Sequence, residues 1–284
     1  MQPRKFTSSH VEELKKRRRK IFKIKVIIFS ILFLLFLVGL YFLSKWHEVN
    51  INKIEITGNK VLETQALEQL VQKEISGKYL WLFPKTNFVL LPRSKIKKEL
   101  SSTFRRIETI SFDLSDSKTL KIEISERKPV YTWCGETIPD KTVRLEDHKC
   151  DFMDDKGYVF DQAPYFSGNA YFKFYGPTEG YYYGGENFNN YILFISNLKH
   201  IGINPVSMLL KPENEVDMYL SSNIPAPDAP KIIFNSEVDY LKIYQNLEAA
   251  IKTDPLKTEF KEKYPSLLYL DLRFNNKVYY KFKE

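Results

Sequence analysis

Residues 26–43, VIIFSILFLLFLVGLYFL, form an unbroken run of eighteen without a charge. A helix made of such residues is apolar on every side and must be covered all round by protein or by lipid. At 1.5 Å per residue the run spans about 27 Å, close to the hydrocarbon thickness of a bilayer. The sequence therefore predicts a transmembrane helix over residues 26–44. Leu40, Tyr41, Phe42 and Leu43 fill the end of the run, where a cleavable secretory signal carries small residues, so the helix is expected to stay attached. Before it stands KKRRRKIFKIK, and charge is sparse just after it. That asymmetry predicts residues 1–25 as a cytoplasmic basic tail and everything beyond the helix as extracytoplasmic, with Tyr41 and Trp46 at the outer interface.

The formal net charge of +8 suggests nucleic acid until it is located. Residues 1–25 hold ten Lys and Arg and two acids, and the remainder carries 33 of each sign. A basic run can also be a nuclear or nucleic-acid signal, but its abutment on a spanning segment makes topology the better reading. No nucleic-acid partner is expected; cytoplasmic-membrane lipid is. In the outer compartment Cys134 and Cys150 either pair, stabilising the fold by about 3 kcal/mol through the unfolded state, or remain two free thiols.

Residues 49–129 are predicted as a small module in the order β-α-α-β-β. Ile54 and Ile56 alternate in a strand that ends at Gly58-Asn59, a pair suited to a turn. Leu67, Leu70, Val71 and Ile75 recur at helical spacing before Gly77, and Ile96, Leu100 and Phe104 do so after Pro92. Ile110, Phe112 and Leu114 alternate, SDSK turns the chain, and Leu120, Ile122 and Ile124 alternate again. Residues 130–284 read as a mostly antiparallel β domain with flanking helices. CDFMDDKGYVF is a hairpin turning at Asp155-Lys156-Gly157. One helix is expected to bury Ile192, Ile195 and Leu198, and a second Leu241, Tyr244, Leu247 and Ile251; the aromatic stretch at 171–188, around Tyr181 and Tyr183, is expected in the core. The fold class is α+β.

A strand ending in TGN, two helices and a hairpin closing on TLKIEISERKP, with Glu126-Arg127 and Pro129, directly follow a single membrane helix. Together they resemble the POTRA domain of the bacterial cell-division protein family FtsQ, also called DivIB. DDKGYVF, the two later helices and the phrase DLRF before the last strand are similar to that family's β domain. The resemblance implies a non-enzymatic divisome scaffold at the division septum, without cofactors. Its partners would be the coiled-coil division proteins FtsB (DivIC) and FtsL. The implied partner site is the last strand, here Val278, Tyr279, Tyr280, Lys281 and Phe282.

The alternative is a membrane-anchored, sortase-like envelope transpeptidase using Cys134 or Cys150 as a thiolate, with a histidine such as His148 nearby. The contexts TWCGE and HKCDF match no nucleophile motif of such enzymes. Cys134, His148 and Cys150 fall short of a four-ligand zinc site, and Asp147, Asp151, Asp154 and Asp155 do not follow the calcium-loop pattern, so no metal is expected and the acids are read as turn and solvent-facing residues. Asp271 and Arg273 lie two apart on one strand and are expected to share a face, as an ion pair or as partner contacts.

LYLDLRFNNKVYYKFKE reads as a hairpin whose second strand has no successor. Leu268, Leu270, Leu272 and Phe274 are predicted on its buried side, with Val278, Tyr280 and Phe282 on one face of the second strand and Tyr279 and Lys281 on the other. An open strand edge recruits other chains, so strand addition is the expected use. Lys277, Lys281 and Lys283 either favour an acidic partner segment or guard against aggregation.

Overall fold

The computed structural model describes residues 9–114, 116–139, 148–166, 168–224, 226–274 and 276–283. The chain is α+β, with one apolar amino-terminal helix and two compact units, Met1–Glu126 and Arg127–Glu284.

In the first unit α1 (Ser9–Ser44) runs without interruption through the basic and the apolar segments. It is long and apolar enough to span a membrane, and no residue of its most apolar window is buried. There follow β1 (Lys53–Thr57), α2 (Thr64–Ile75), the short pair β2 (Lys78–Tyr79) and β3 (Phe83–Pro84), α3 (Arg93–Thr103), β4 (Ile107–Asp113) and β5 (Thr119–Glu126). The sheet order is β1-β5-β4, with β1 parallel to β5 and β4 antiparallel to it. The two helices bury their apolar stripes, Leu67, Val71 and Ile75 with Ile96 and Leu100, against Leu120, Ile122 and Ile124 of the central strand.

Two residues explain the TGN and SER phrases. Gly58 has φ +88°, and a Cβ there would collide with the carbonyl oxygen of Ile124, so only glycine lets the chain leave β1 so close to β5. Glu126, ending β5, reaches the loop after β1, where its carboxylate accepts from the backbone N–H groups of Lys60 (2.7 Å), Val61 (3.0 Å) and Leu62 (3.0 Å). Burial pushes the Glu126 carboxyl up, but these N–H groups and the Arg106 charge outweigh it and hold the pKa below the usual value.

The second unit begins with β6 (Tyr131–Trp133), β7 (Cys150–Met153), β8 (Val159–Ala163), β9 (Lys173–Tyr175), β10 (Thr178–Glu179), β11 (Tyr182–Tyr183) and α4 (Phe188–His200). It continues with β12 (Pro205–Leu210), β13 (Glu215–Leu220), β14 (Lys231–Asn235), α5 (Tyr240–Ile251), α6 (Leu256–Lys263), β15 (Leu267–Asp271) and β16 (Tyr279–Phe282). Among the described residues nine strands join one mostly antiparallel sheet in the order β16-β15-β14-β13-β12-β9-β6-β7-β8. Phe194, Ile195 and Leu198 of α4 and Ile243 and Leu247 of α5 pack with Met208, Met218, Ile232, Phe234 and Leu270 of the strands. At the start of this unit the Arg127 guanidinium donates to Asp154 at 2.6 Å and stacks 3.9 Å over the Tyr158 ring. Asp154 also accepts from the N–H groups of Lys156 and Tyr158, each at 2.9 Å, which shapes the DDKG turn.

Several expectations need correction. The second long helix buries Tyr240, Ile243 and Leu247, whereas Leu241 is 60% exposed, because the core stripe is rotated by one residue from the one expected. Asp154 is a turn residue but a buried one, since Arg127 neutralises it, and Asp147 lies outside the described residues. The aromatic stretch divides: Phe174, Tyr175 and Tyr183 are buried, whereas Tyr181 and Tyr182 are exposed. Burial alone pushes the Tyr175 hydroxyl up to about 12. Helix α6 and the β2–β3 pair were not anticipated; the first is short and polar, and the second has only two residues per strand.

Candidate partner-binding edge

β16 is the terminal strand of the nine-stranded sheet. It pairs antiparallel with β15, Asp271 opposite Tyr279, Leu270 opposite Tyr280, Tyr269 opposite Lys281 and Leu267 opposite Phe282. No strand pairs with its other side among the described residues. The opposite edge differs: next to β8, Val159 N–H donates to Tyr181 O at 2.7 Å and Tyr183 N–H to Gly157 O at 2.9 Å, so a neighbouring segment partly covers it.

The predicted alternation holds in β16. Tyr280 and Phe282, with Val278 just before the strand, are half-buried and pack against the core, whereas Tyr279 and Lys281 face solvent. The rings of Tyr280 and Phe282 meet edge to face at 5.7 Å. Burial raises the Tyr280 hydroxyl pKa, and the Glu259 carboxylate on α6 adds to the shift. This side of the strand is occupied by its own fold.

β15 departs from the expected pattern. Leu270 and Leu272 are buried as predicted, but Leu268 is 38% exposed and Leu267 takes the inward place. The cause is an irregularity in the pairing between Leu267 and Tyr269, which sets two residues of β15 against one of β16 and reverses side-chain direction upstream of it. Phe274, also expected inside, lies beyond the strand and is exposed, with its ring 5.1 Å from that of exposed Tyr279. The exposed aromatic pair therefore borders the open edge.

Asp271 and Arg273 do form an ion pair. Arg273 donates to both carboxylate oxygens of Asp271, at 3.0 and 2.6 Å, and to Glu215 at 2.5 Å. Glu215 also binds Lys211, and Lys211 and Lys231 both bind the buried Asp217, at 2.8 and 2.7 Å. These charges lie on the sheet's polar side and fix β13, β14 and β15 together. Arg273 is thus committed to three internal contacts.

Cys134 and Cys150 are joined as a disulfide with Cα atoms 4.1 Å apart, linking the ends of β6 and β7. A sulfur in a disulfide has no thiolate to offer. His148 lines a small cavity with Cys150, Tyr165 and Lys173. Among the described residues no group of three or more His, Cys, Asp or Glu side chains is arranged to hold a metal ion.

Compared with models of known protein families and with curated proteins, the sequence matches neither.

Proposed function

We propose that this chain is a single-pass scaffold of the bacterial division machinery, similar to FtsQ/DivIB, acting at the septum without catalysis. Its first unit is read as a POTRA-type module next to the membrane. The second unit takes up an extended segment of a partner, of the FtsB/DivIC or FtsL kind, as a further strand beside β16. The observation that carries this reading is the outer side of β16, with which no strand pairs among the described residues. Its inward side chains, Tyr280 and Phe282, are already packed, so the backbone and the outward Tyr279 and Lys281 remain for a partner. In strand addition main-chain bonds supply affinity and outward side chains supply selectivity.

The test is recovery of partners with tagged full-length protein from cells. The reading expects two small coiled-coil membrane proteins, lost together when Tyr279→Asp and Lys281→Glu are introduced on the solvent side. Unchanged recovery with those substitutions would count against this edge, and an enriched cell-wall substrate or product would favour the transpeptidase alternative.

A further inference from the structure

The hairpin of β2 and β3 closes through Leu80, Trp81 and Leu82, three apolar residues that the core of the first unit does not use. Leu80 is 83% exposed and Trp81 91%. Both have positive φ, +45° and +62°, a region costly for any residue with a side chain. Glycine or asparagine would relieve that backbone and a polar residue would suit water, yet neither occurs. The turn before α3 adds Val89, 70% exposed, and Leu90.

This surface is held against the end of α1. Ile51 N–H donates to Thr86 O at 2.9 Å, Phe88 N–H to Val49 O at 3.1 Å, and the Asn87 side chain to Ser44 O at 3.3 Å. A groove of nearly pure hydrocarbon character lies between them, walled by Leu40 and Leu43 on one side and by Tyr79, Phe83, Phe88 and Val89 on the other. Leu40 and Leu43 belong to the apolar run itself. Where lipid surrounds them, it reaches this groove as well. Lys45, Lys78 and Lys85 flank the groove in the chain; Lys45 lies over the Tyr41 ring and Lys85 5.9 Å from the Tyr79 ring centroid. Aromatic side chains with lysines beside them suit the boundary between acyl chains and anionic headgroups.

We propose that residues 80–82, with Val89 and Leu90, insert into the leaflet at the outer end of α1, with the three lysines at the level of the lipid phosphates. The first unit then has two footholds on the membrane, helix and hairpin tip, in place of a single tether. This inference rests on α1 spanning the bilayer. A lipid occupant, not a protein one, follows from the continuity of the groove with the membrane-spanning surface and from the cations around it.

The experiment uses full-length protein in vesicles of mixed neutral and anionic lipid, with or without bromine on the acyl chains. The contribution of Trp81 to tryptophan emission is taken as the difference between wild type and Trp81→Phe, and that of Trp46 from Trp46→Phe. Both residues are exposed, and circular dichroism checks that each variant is folded. The expected result is a loss of both contributions in brominated vesicles, with Trp81 emission shifted to the blue relative to N-acetyltryptophanamide in buffer. Quenching of Trp46 but not of Trp81 overturns the inference and leaves the membrane helix standing; quenching of neither overturns both. As a second measurement, aqueous acrylamide should reach Trp81 poorly in vesicles; ready access would contradict insertion.

Discussion

Glu126 and Gly58 carry more of the first unit's geometry than their size suggests. Replacing Glu126 by Ala leaves three backbone N–H groups to water and is expected to cost about 1–2 kcal/mol, read as a lower urea midpoint of the first unit's unfolding. The pH dependence has a definite sign. The folded-state pKa of Glu126 is depressed, so its contribution is present above the ordinary carboxyl value and is lost as pH falls through the folded-state value; the wild type should lose this increment on acidification and Glu126→Ala should not. Gly58→Ala combines an unfavourable φ with a collision against the Ile124 carbonyl and should cost more than about 3 kcal/mol, seen as loss of cooperative unfolding in that unit. Both residues stood out in the sequence as parts of a phrase. What they do was not legible, because the loop that Glu126 binds is 64 or more positions away and only the parallel pairing of β1 with β5 brings it near.

At the scale of elements, periodicity located the long helices and most strands but misjudged faces where apolar residues were in excess. Tyr240 and Leu241 are adjacent and both apolar, so spacing alone does not choose which turns inward; the neighbouring Tyr191 and Phe194 rings decide it for Tyr240. In β15 a single added residue, Leu268, shifted the alternation, and nothing in the run of leucines announces it. In β16, flanking polar residues made the pattern unambiguous. Its two faces should separate experimentally: Phe282→Ala, on the packed side, is expected to destabilise the second unit by about 2 kcal/mol, whereas Tyr279→Asp should leave unfolding unchanged within about 0.5 kcal/mol and weaken partner capture. The disulfide belongs to this scale as well. Changing both Cys134 and Cys150 to Ser removes the link between β6 and β7 and should lower stability by about 3 kcal/mol in thermal or urea unfolding.

For the whole molecule, the division falls between Glu126 and Arg127, and the two neighbours serve different units. Glu126 closes the first through residues 60–62, and Arg127 opens the second through Asp154 and Tyr158. The order of parts was readable because each has its own pattern: an uninterrupted apolar run, a small module in which helical spacing stands between alternating strands, and a strand-rich domain. The partner edge was readable only as a possibility of pairing, since a sequence does not reveal which strands flank one another in a nine-stranded sheet. Amide hydrogen exchange over residues 279–282, in full-length protein alone and in the complex recovered from cells, tests strand addition directly. The account predicts that exchange at this edge slows markedly in the complex; protection that appears elsewhere in the second unit while residues 279–282 exchange as before would contradict it.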